Sequence, residues 1–413
     1  MKKICFLRFI SLDETIGYTE TLDLINYLAQ KSSNKIFFIC LKGIKKSVNY
    51  KFTHNYVSIY ESPSLRSLTG KNKFTTLVDL FLYSFFSLFV LMKIRFKERI
   101  DVIHYYPESS FTIFLYKCFY SNICYILDVR KPILVQAEEM ESNRCIKQFI
   151  HIIYSILEKI SISVSDLIVS ITKGVKIYLE KRMKGYKLKK KQIFTLPCSV
   201  DLSIFKISES DDNNLSKLKQ EFKIKSDSKI LLYLGSGSKV RDFDKILRIF
   251  DKLIRVGYDL TLLIIGDLDY KLKKYCEKLK ISSYIREKKV KHNNVPMYIR
   301  LADICLSYLP DLPTFKYSCP LKILEYMAMK KPVIATNIYA HKMLIKNKLT
   351  GILTECNEED FMNAIKDLIK YPEKAKKLGE NARAFIEKRY TLELIGSLYE
   401  SFLIKCKKLK ENF

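Results

Sequence analysis

Residues 318–336 hold the residues best placed to do chemistry. The run Ser318-Cys-Pro-Leu-Lys-Ile-Leu-Glu-Tyr-Met-Ala-Met-Lys-Lys-Pro-Val-Ile-Ala-Thr336 predicts a short helix with Pro320 at its first position, where a missing N–H costs nothing. The Lys330-Lys331-Pro332 turn ends it before an apolar strand from Val333 to Ala335. Free N–H groups at such a helix start favour a phosphate, and a carboxylate one turn further in, Glu325, can accept both hydroxyls of a ribose. The arrangement suits a nucleoside diphosphate. The residues alone leave open an ordinary helix bearing a solvated glutamate.

A second candidate follows the apolar strand at 230–234, where Gly235-Ser-Gly-Ser-Lys-Val-Arg-Asp242 leads into a helix from about Phe243. Glycines there let the backbone approach a phosphate, and the helix start adds its dipole. As a Gly-x-Gly-x-x-Gly fingerprint the loop fails, because Val240 stands at the third glycine and no acidic residue ends the next strand at the usual distance. That argues against a dinucleotide-dependent oxidoreductase. A plain strand-to-helix turn stays open.

The elements that must position these residues alternate strand and helix from end to end, which implies parallel sheets with helices on both faces. The first half predicts strands at Lys3–Phe9, Lys35–Leu41, Val57–Tyr60, Asp101–Tyr106, Ile123–Val129, Asp166–Ile171 and Gln192–Leu196. The second predicts them at Lys229–Leu234, Leu260–Ile265, Tyr284–Ile285, Ile304–Tyr308, Val333–Ala335 and Gly351–Leu353. Ligands in such sheets sit at the carboxyl ends of strands, which singles out Asp13 and Gly17 after strand one, His104 to Glu108 after strand four, and Asp128 with Arg130 after strand five. The last two read as site residues or as a pair that fixes the loop. His104, on a core strand, reads first as a satisfied histidine.

The chain has 413 residues, enough for two domains, and 48% of them are hydrophobic, which excludes a disordered protein. Its 11 cysteines are odd in number, with no Cys-x-x-Cys pair or zinc-like spacing. They imply reduced thiols in a cytosolic protein without a structural metal. Met1 to Ile10 reads as a first strand and not as a signal peptide, since Arg8 and the polar run from Ser11 interrupt it. The formal charge is +28, and 58 of the 72 basic residues are lysines. A lysine-dominated excess argues against sequence-specific nucleic-acid recognition, which leans on arginine, and for an anionic membrane surface, with a lysine bias that only decorates solvated helix faces as the alternative. Phe74 to Phe96 is interrupted by Asp79, Ser84 and Ser87; a crossover helix is the first reading, with an interfacial helix and a membrane span as alternatives.

The 320–335 segment resembles the signature of the family 4 glycosyltransferases, retaining enzymes of two-domain GT-B architecture, typically Pro-Leu-Lys-Leu-Leu-Glu-Tyr-Met-Ala followed by Lys-Pro-Val-Ile-Ala. That family usually carries two glutamates flanking seven residues, the second on the ribose and the first near the donor sugar; here the second is Glu325 and Tyr317 occupies the first position. The 235–242 loop is similar to the family's Gly-Arg-x-x-x-x-Lys-Gly, with Ser236 at the arginine, Arg241 at the lysine and Asp242 at the glycine. Lys239, on a flexible stem, can replace the missing cation. Leu263 to Asp267 matches a strand ending in Gly-x-Gly with Leu268 at its second glycine, while Val295-Pro296 and Ala302-Asp303 match further family elements. Pro197 to Asp201 with Phe205 matches the interdomain connector, Ser199 replacing a glycine. Asp128-Val-Arg130 stands where many polysaccharide-type members carry Asp-x-Arg, and Gly17 matches the glycine loop under the pyrophosphate.

The resemblance implies two doubly wound parallel-sheet domains facing a cleft: an acceptor-side domain over 1–200, a donor-binding domain over 201–390, and a C-terminal helix, 391–413, crossing back onto the first. It implies a metal-independent, hexosyltransferase-like enzyme with no cofactor beyond its nucleotide-sugar donor, acting on a glycan or lipid-linked acceptor at the inner face of the cell membrane. Gly17, Gly235, Ser236, Lys239, Arg241, Tyr317, Pro320, Leu321, Lys322 and Glu325 would then hold the donor, with Asp128 and Arg130 as catalytic residues. A non-catalytic nucleotide-sugar binder and a GT-B-type epimerase are the alternatives.

Overall fold

The computed structural model describes residues 2–11, 19–31, 34–42, 56–65, 73–135, 144–207 and 212–411. Asp13 and Gly17 lie outside them. The chain divides into two compact units, Met1–Cys198 with Leu392–Phe413, and Ser199–Thr391.

The first unit is a parallel sheet of β1 (Lys3–Ser11), β2 (Lys35–Leu41), β3 (Val57–Ser62), β4 (Val102–Tyr105), β5 (Cys124–Val129), β6 (Leu167–Ser170) and β7 (Ile193–Thr195), in the order β3-β2-β1-β4-β5-β6-β7. Strands β4, β5 and β6 are buried at every position. Helices cover both faces, so these strands read as unbroken apolar runs. The helices are α1 (Thr19–Lys31), α2 (Lys73–Lys97), α3 (Ser110–Phe119), α4 (Arg144–Val164), α5 (Lys173–Gly185) and, from the far end of the chain, Leu392–Glu411. One face of the sheet packs Phe6, Phe38, Ile126 and Val169 against Ile25 and Leu28 of α1 and Tyr399, Phe402 and Leu403 of the C-terminal helix.

The second unit orders its strands β10-β9-β8-β11-β12-β13, with β8 (Lys229–Leu234), β9 (Leu260–Ile265), β10 (Ile285–Lys288), β11 (Ile304–Ser307), β12 (Val333–Thr336) and β13 (Ile352–Thr354). Its helices are α6 (Asp212–Glu221), α7 (Phe243–Arg255), α8 (Tyr270–Leu279), α9 (Val295–Leu301), α10 (Pro313–Lys316), α11 (Leu321–Ala328), α12 (Tyr339–Leu344), α13 (Glu358–Lys370) and α14 (Pro372–Glu387); α15 is the Leu392–Glu411 helix of the first unit.

Two expectations shift. β10 lies at Ile285–Lys288, not Tyr284–Ile285, because Ser282–Tyr284 forms a 3-10 turn and the half-buried edge strand is charged, which hides it from a hydrophobicity reading. Pro320 is the residue before α11, with φ −74° and ψ 96°, so the helix begins one position later than expected. Residues 74–96 form a crossover helix, α2, between β3 and β4, and no helix among the described residues is long and apolar enough to cross a membrane.

The C-terminal helix is seated by a close approach. A Cβ on Gly396 would stand 2.2 Å from Cε1 of Tyr27 on α1, and Tyr27 is buried with its hydroxyl 3.2 Å from Ser397 Oγ. Gly396→Ala should therefore destabilise the first unit by about 1–3 kcal/mol, overpacking outweighing the ~1 kcal/mol gain in helix propensity. Urea denaturation followed by circular dichroism measures this, and a variant as stable as the parent would refute the tight seat.

Candidate nucleotide-binding site

In the second sheet the connections reverse direction between β8 and β11, and a crevice for a ligand forms at the carboxyl ends of strands flanking such a point. The loop leaving β8 begins with Gly235 at φ +106°, a conformation side chains rarely adopt. It is crossed closely by the next loop, since a Cβ on Gly266 would lie 2.2 Å from the Gly235 carbonyl oxygen. Only a bare backbone fits there, which explains the glycine ending β9. At the other end of the loop Asp242 takes the left-handed conformation, φ 51°, in the place where the resembling family has glycine; aspartate tolerates that region better than most residues.

Helix α11 is fastened to the same crevice. The backbone N–H of Leu234, the last residue of β8, donates to the Tyr326 hydroxyl at 2.7 Å, and that hydroxyl lies 3.5 Å from the Leu306 carbonyl of β11. At the back of the helix Arg383 Nη1 donates to the Ala328 carbonyl at 2.6 Å, while Gly379 of α14 allows close packing, a Cβ there meeting the Lys330 carbonyl oxygen at 2.0 Å. The ends of β11 and β12 are joined below by His341, buried, with Nε2 3.1 Å from Ser307 Oγ and Nδ1 2.7 Å from the Thr336 carbonyl. Burial lowers the His341 pKa to about 4.

Within this frame Lys322, Arg241, Gly235 and Glu325 come together. The Lys322 ammonium is buried, finds no hydrogen-bond partner among the described residues, and sits 3.7 Å from the centre of the Tyr233 ring. It lies 3.6 Å from the point a Cβ on Gly235 would occupy. Burial and the neighbouring Arg241 charge pull its pKa well below the ordinary lysine value, and Glu325 opposes them. A desolvated ammonium with no hydrogen-bond acceptor among the described residues is costly, so the crevice favours an anion. Burial also raises the Tyr233 pKa, which Arg241 counteracts.

Glu325 is not a solvated carboxylate. Its Oε1 lies 2.7 Å from His292 Nε2, with the two side chains 12% and 21% exposed, and the His292 ring is 5.4 Å from that of Phe205. The sequence reading missed His292; it precedes Val295-Pro296 in the β10–α9 connection, and its only signal was that position beyond the carboxyl end of a strand. Of the other expected donor residues, Ser236 and Lys239 are exposed on the β8 loop, Leu321 and Pro320 are half-buried at the start of α11, and Tyr317 is half-buried at the end of α10.

In the first unit Asp128 and Arg130 are paired. Arg130 Nε donates to Asp128 Oδ2 at 2.8 Å, and the same oxygen is 3.1 Å from His104 Nε2, whose Nδ1 is 2.8 Å from the Tyr399 hydroxyl. Asp128 and His104 are 0% exposed and Arg130 13%. Burial alone would raise the Asp128 carboxyl, but the Arg130 charge, the His104 hydrogen bond and the Arg8 charge outweigh it and hold the pKa at about 2. Burial lowers the His104 pKa against the pull of Asp128. The carboxylate expected to touch the sugar is thus enclosed, and Arg130 is the member of the pair that reaches solvent. No group of three or more potential metal ligands occurs among the described residues.

Residues 215–385 match the family model of the glycosyl transferases group 1. Among curated proteins the chain is 28% identical over 195 residues to the N-acetyl-alpha-D-glucosaminyl L-malate synthase of Bacillus anthracis, covering 46% of this chain and 48% of that protein. It is 22% identical to the capsular polysaccharide biosynthesis glycosyltransferase CapM of Staphylococcus aureus, covering 66% and 72%. The match thus spans about half the length of the first relative. Solved structures agree over nearly the whole fold: a sucrose-phosphate synthase from Thermosynechococcus elongatus has a TM-score of 0.78 at 14% identity, covering 98% of this chain and 99% of that one. HepE of Anabaena in complex with UDP-glucose has a TM-score of 0.72 at 14% identity, covering 98% and 100%. The fold they share with this chain is GT-B.

The enclosed carboxylate pair generates a stability test. Arg130→Ala leaves Asp128 buried with one fewer cation and should destabilise the first unit by about 3 kcal/mol at pH 7. Because the folded Asp128 pKa is depressed, its contribution is present above the unfolded value of about 3.9 and is lost as pH falls through about 2. The gap between parent and variant should therefore narrow from about pH 4 toward pH 2, as read by urea denaturation; a gap independent of pH over that window would contradict the pairing.

Proposed function

We propose that the chain, whose residues 215–385 match the glycosyl transferases group 1 model, transfers a sugar from a nucleoside diphosphate sugar to an acceptor hydroxyl with retention at the anomeric carbon. The observation that carries the proposal is the buried Lys322 ammonium, without a hydrogen-bond partner among the described residues, beside the Gly235 loop and one turn before Glu325. Lys322, Arg241 and the first backbone N–H groups of α11 neutralise the diphosphate, with Lys239 reaching it from the exposed side of the loop; no metal ion is required for that charge. Glu325, held by His292, accepts the ribose hydroxyls. The bond between the anomeric carbon and the diphosphate oxygen breaks, the acceptor oxygen bonds to that carbon on the same face, and the acceptor proton passes to a departing phosphate oxygen. Arg130, presented by Asp128, serves the acceptor side as a cation, and Asp128 acts through it as a positioning residue.

The proposed acceptor is a glycan or lipid-linked glycan of a cell-surface polysaccharide, in keeping with the similarity to CapM, and the proposed place of action is the cytoplasmic face of the membrane, in keeping with a net charge of +28.

Incubation with nucleoside diphosphate sugars and a glycan acceptor tests the reaction directly. Two binding predictions test the site. Glu325→Ala should weaken nucleotide binding by about 1–3 kcal/mol, the scale of charge-assisted hydrogen bonds; calorimetric titration of a folded variant with unchanged affinity would sink the ribose assignment. Arg241→Ala should weaken a nucleoside diphosphate far more than the free nucleoside, since the guanidinium is assigned to phosphate alone. Equal losses for both ligands would show that the substitution damages the crevice indirectly.

A further inference from the structure

Helix α2 carries apolar side chains on both faces. Its inner face buries Tyr83, Val90, Leu91 and Ile94 together with the polar interruptions: Asp79 is 0% exposed and accepts from Ser64 Oγ at 2.7 Å and the Leu65 N–H at 2.6 Å, and Ser87 is buried 2.9 Å from Thr112 Oγ1 of α3. Its outer face presents Phe81 63%, Phe85 50% and Phe89 66% exposed, each one turn after the last. The neighbouring helices continue this surface. Phe111 and Phe114 of α3 and Ile152 and Ile156 of α4 are also exposed, and α3 packs against both α2 and α4. A patch of aromatic and branched side chains spread over three adjacent helices exceeds the single exposed residues normal for a protein surface.

The exposed charge on these helices is basic, and Glu98, just beyond α2, is engaged by Lys3 and Lys35. The only carboxylates in α2, α3 and α4 are Asp79 and Glu158, and both are buried, Glu158 against Arg182 Nε at 2.6 Å and the Tyr178 hydroxyl at 2.7 Å. Exposed Lys93, Lys97 and Arg99 flank the C-terminal end of α2, and Lys147 and Lys159 are exposed on α4. Two copies of this face would bring like charges together around their apolar centres. An anionic surface that also accepts apolar side chains satisfies both features at once.

We propose that the outward face of α2, α3 and α4 docks on an anionic lipid surface, with Phe81, Phe85 and Phe89 entering the headgroup–acyl boundary and Lys93, Lys97 and Arg99 holding the headgroups. This deepens, and rests on, the membrane placement given under the proposed function; donor binding in the second unit does not depend on it. The side chains are exposed, so their replacement leaves the core of the first unit intact.

The chain contains no tryptophan, so Phe85→Trp introduces a single reporter on α2, and Tyr270→Trp, at a residue 67% exposed in the second unit, is its control. With vesicles of phosphatidylcholine and phosphatidylglycerol, the indole emission of the Phe85→Trp variant should shift to the blue and be quenched by brominated acyl chains, while that of the Tyr270→Trp variant should not. In co-sedimentation the triple variant Phe81→Ser/Phe85→Ser/Phe89→Ser should lose tenfold or more of its vesicle partitioning, and Lys93→Gln/Lys97→Gln/Arg99→Gln should lose the preference for anionic over neutral vesicles. Nucleoside diphosphate binding, measured on the same preparations, should stay at the parent value, which separates a failure of docking from a failure of the donor site. An unquenched reporter on α2, a triple variant that partitions like the parent, or a parent dimer that the serine substitutions dissociate without any vesicle binding would overturn the proposal.

Discussion

The second unit is organised around an ammonium that water does not reach. Lys322 lies on the Tyr233 ring with no hydrogen-bond acceptor among the described residues, and the cation–π contact, worth about 2 kcal/mol when desolvated, recovers only part of the lost hydration. The features around it make sense as support for that unfavourable group. Gly235 and Gly266 bring two loops into contact above it, and the Tyr326 hydroxyl ties the end of β8 to α11. Arg383 and Gly379 hold the far end of α11. A helix start free to shift would let water in, so rigidity here is the condition for keeping the charge desolvated.

Glu325 illustrates how such a crevice handles the opposite charge. A carboxylate one turn from a desolvated ammonium would ordinarily pair with it, yet its Oε1 is 2.7 Å from His292 instead. The histidine orients Glu325 as an acceptor, and Lys322 makes no hydrogen bond among the described residues. In the first unit the opposite choice is made, with Asp128 enclosed by Arg130 and His104 and its carboxyl pKa held at about 2. One buried charge is closed off within its network and the other is left open.

Much of this was legible in the sequence, and the exceptions have physical reasons. Strands such as β8 and β9 are covered on both faces, and their apolar runs marked them residue for residue. β10 escaped because an edge strand tolerates charge. Glu325 was legible because it and the helix that carries it are local in sequence, whereas His292 stands 33 residues away and meets it only through the sheet. The burial of Lys322 was hidden too, since a lysine in the first turn of a short helix reads as a solvent-facing residue. Asp128 was correctly linked with Arg130, but its full enclosure depends on His104 and on Tyr399 of the last helix, a contact spanning most of the chain. In α2 Asp79 and Ser87 were read as interruptions of an apolar stretch, when they help to fasten the helix to its surroundings and leave Phe81, Phe85 and Phe89 turned outward.

The net charge of +28 therefore divides into two populations that act by different physics. Exposed lysines such as Lys93 and Lys97 act through solvent, where a charge is screened over about 10 Å at 0.1 M salt; they can concentrate the protein at an anionic surface but contribute little to a bound diphosphate. Lys322, in the low-dielectric crevice, is screened far less. Raising the salt should release the protein from anionic vesicles at concentrations where a nucleoside diphosphate still binds to the second unit. Parallel salt titrations of vesicle partitioning and of calorimetric affinity measure the two populations separately, and losses that track each other would mean that the surface lysines and not the buried ammonium carry the diphosphate.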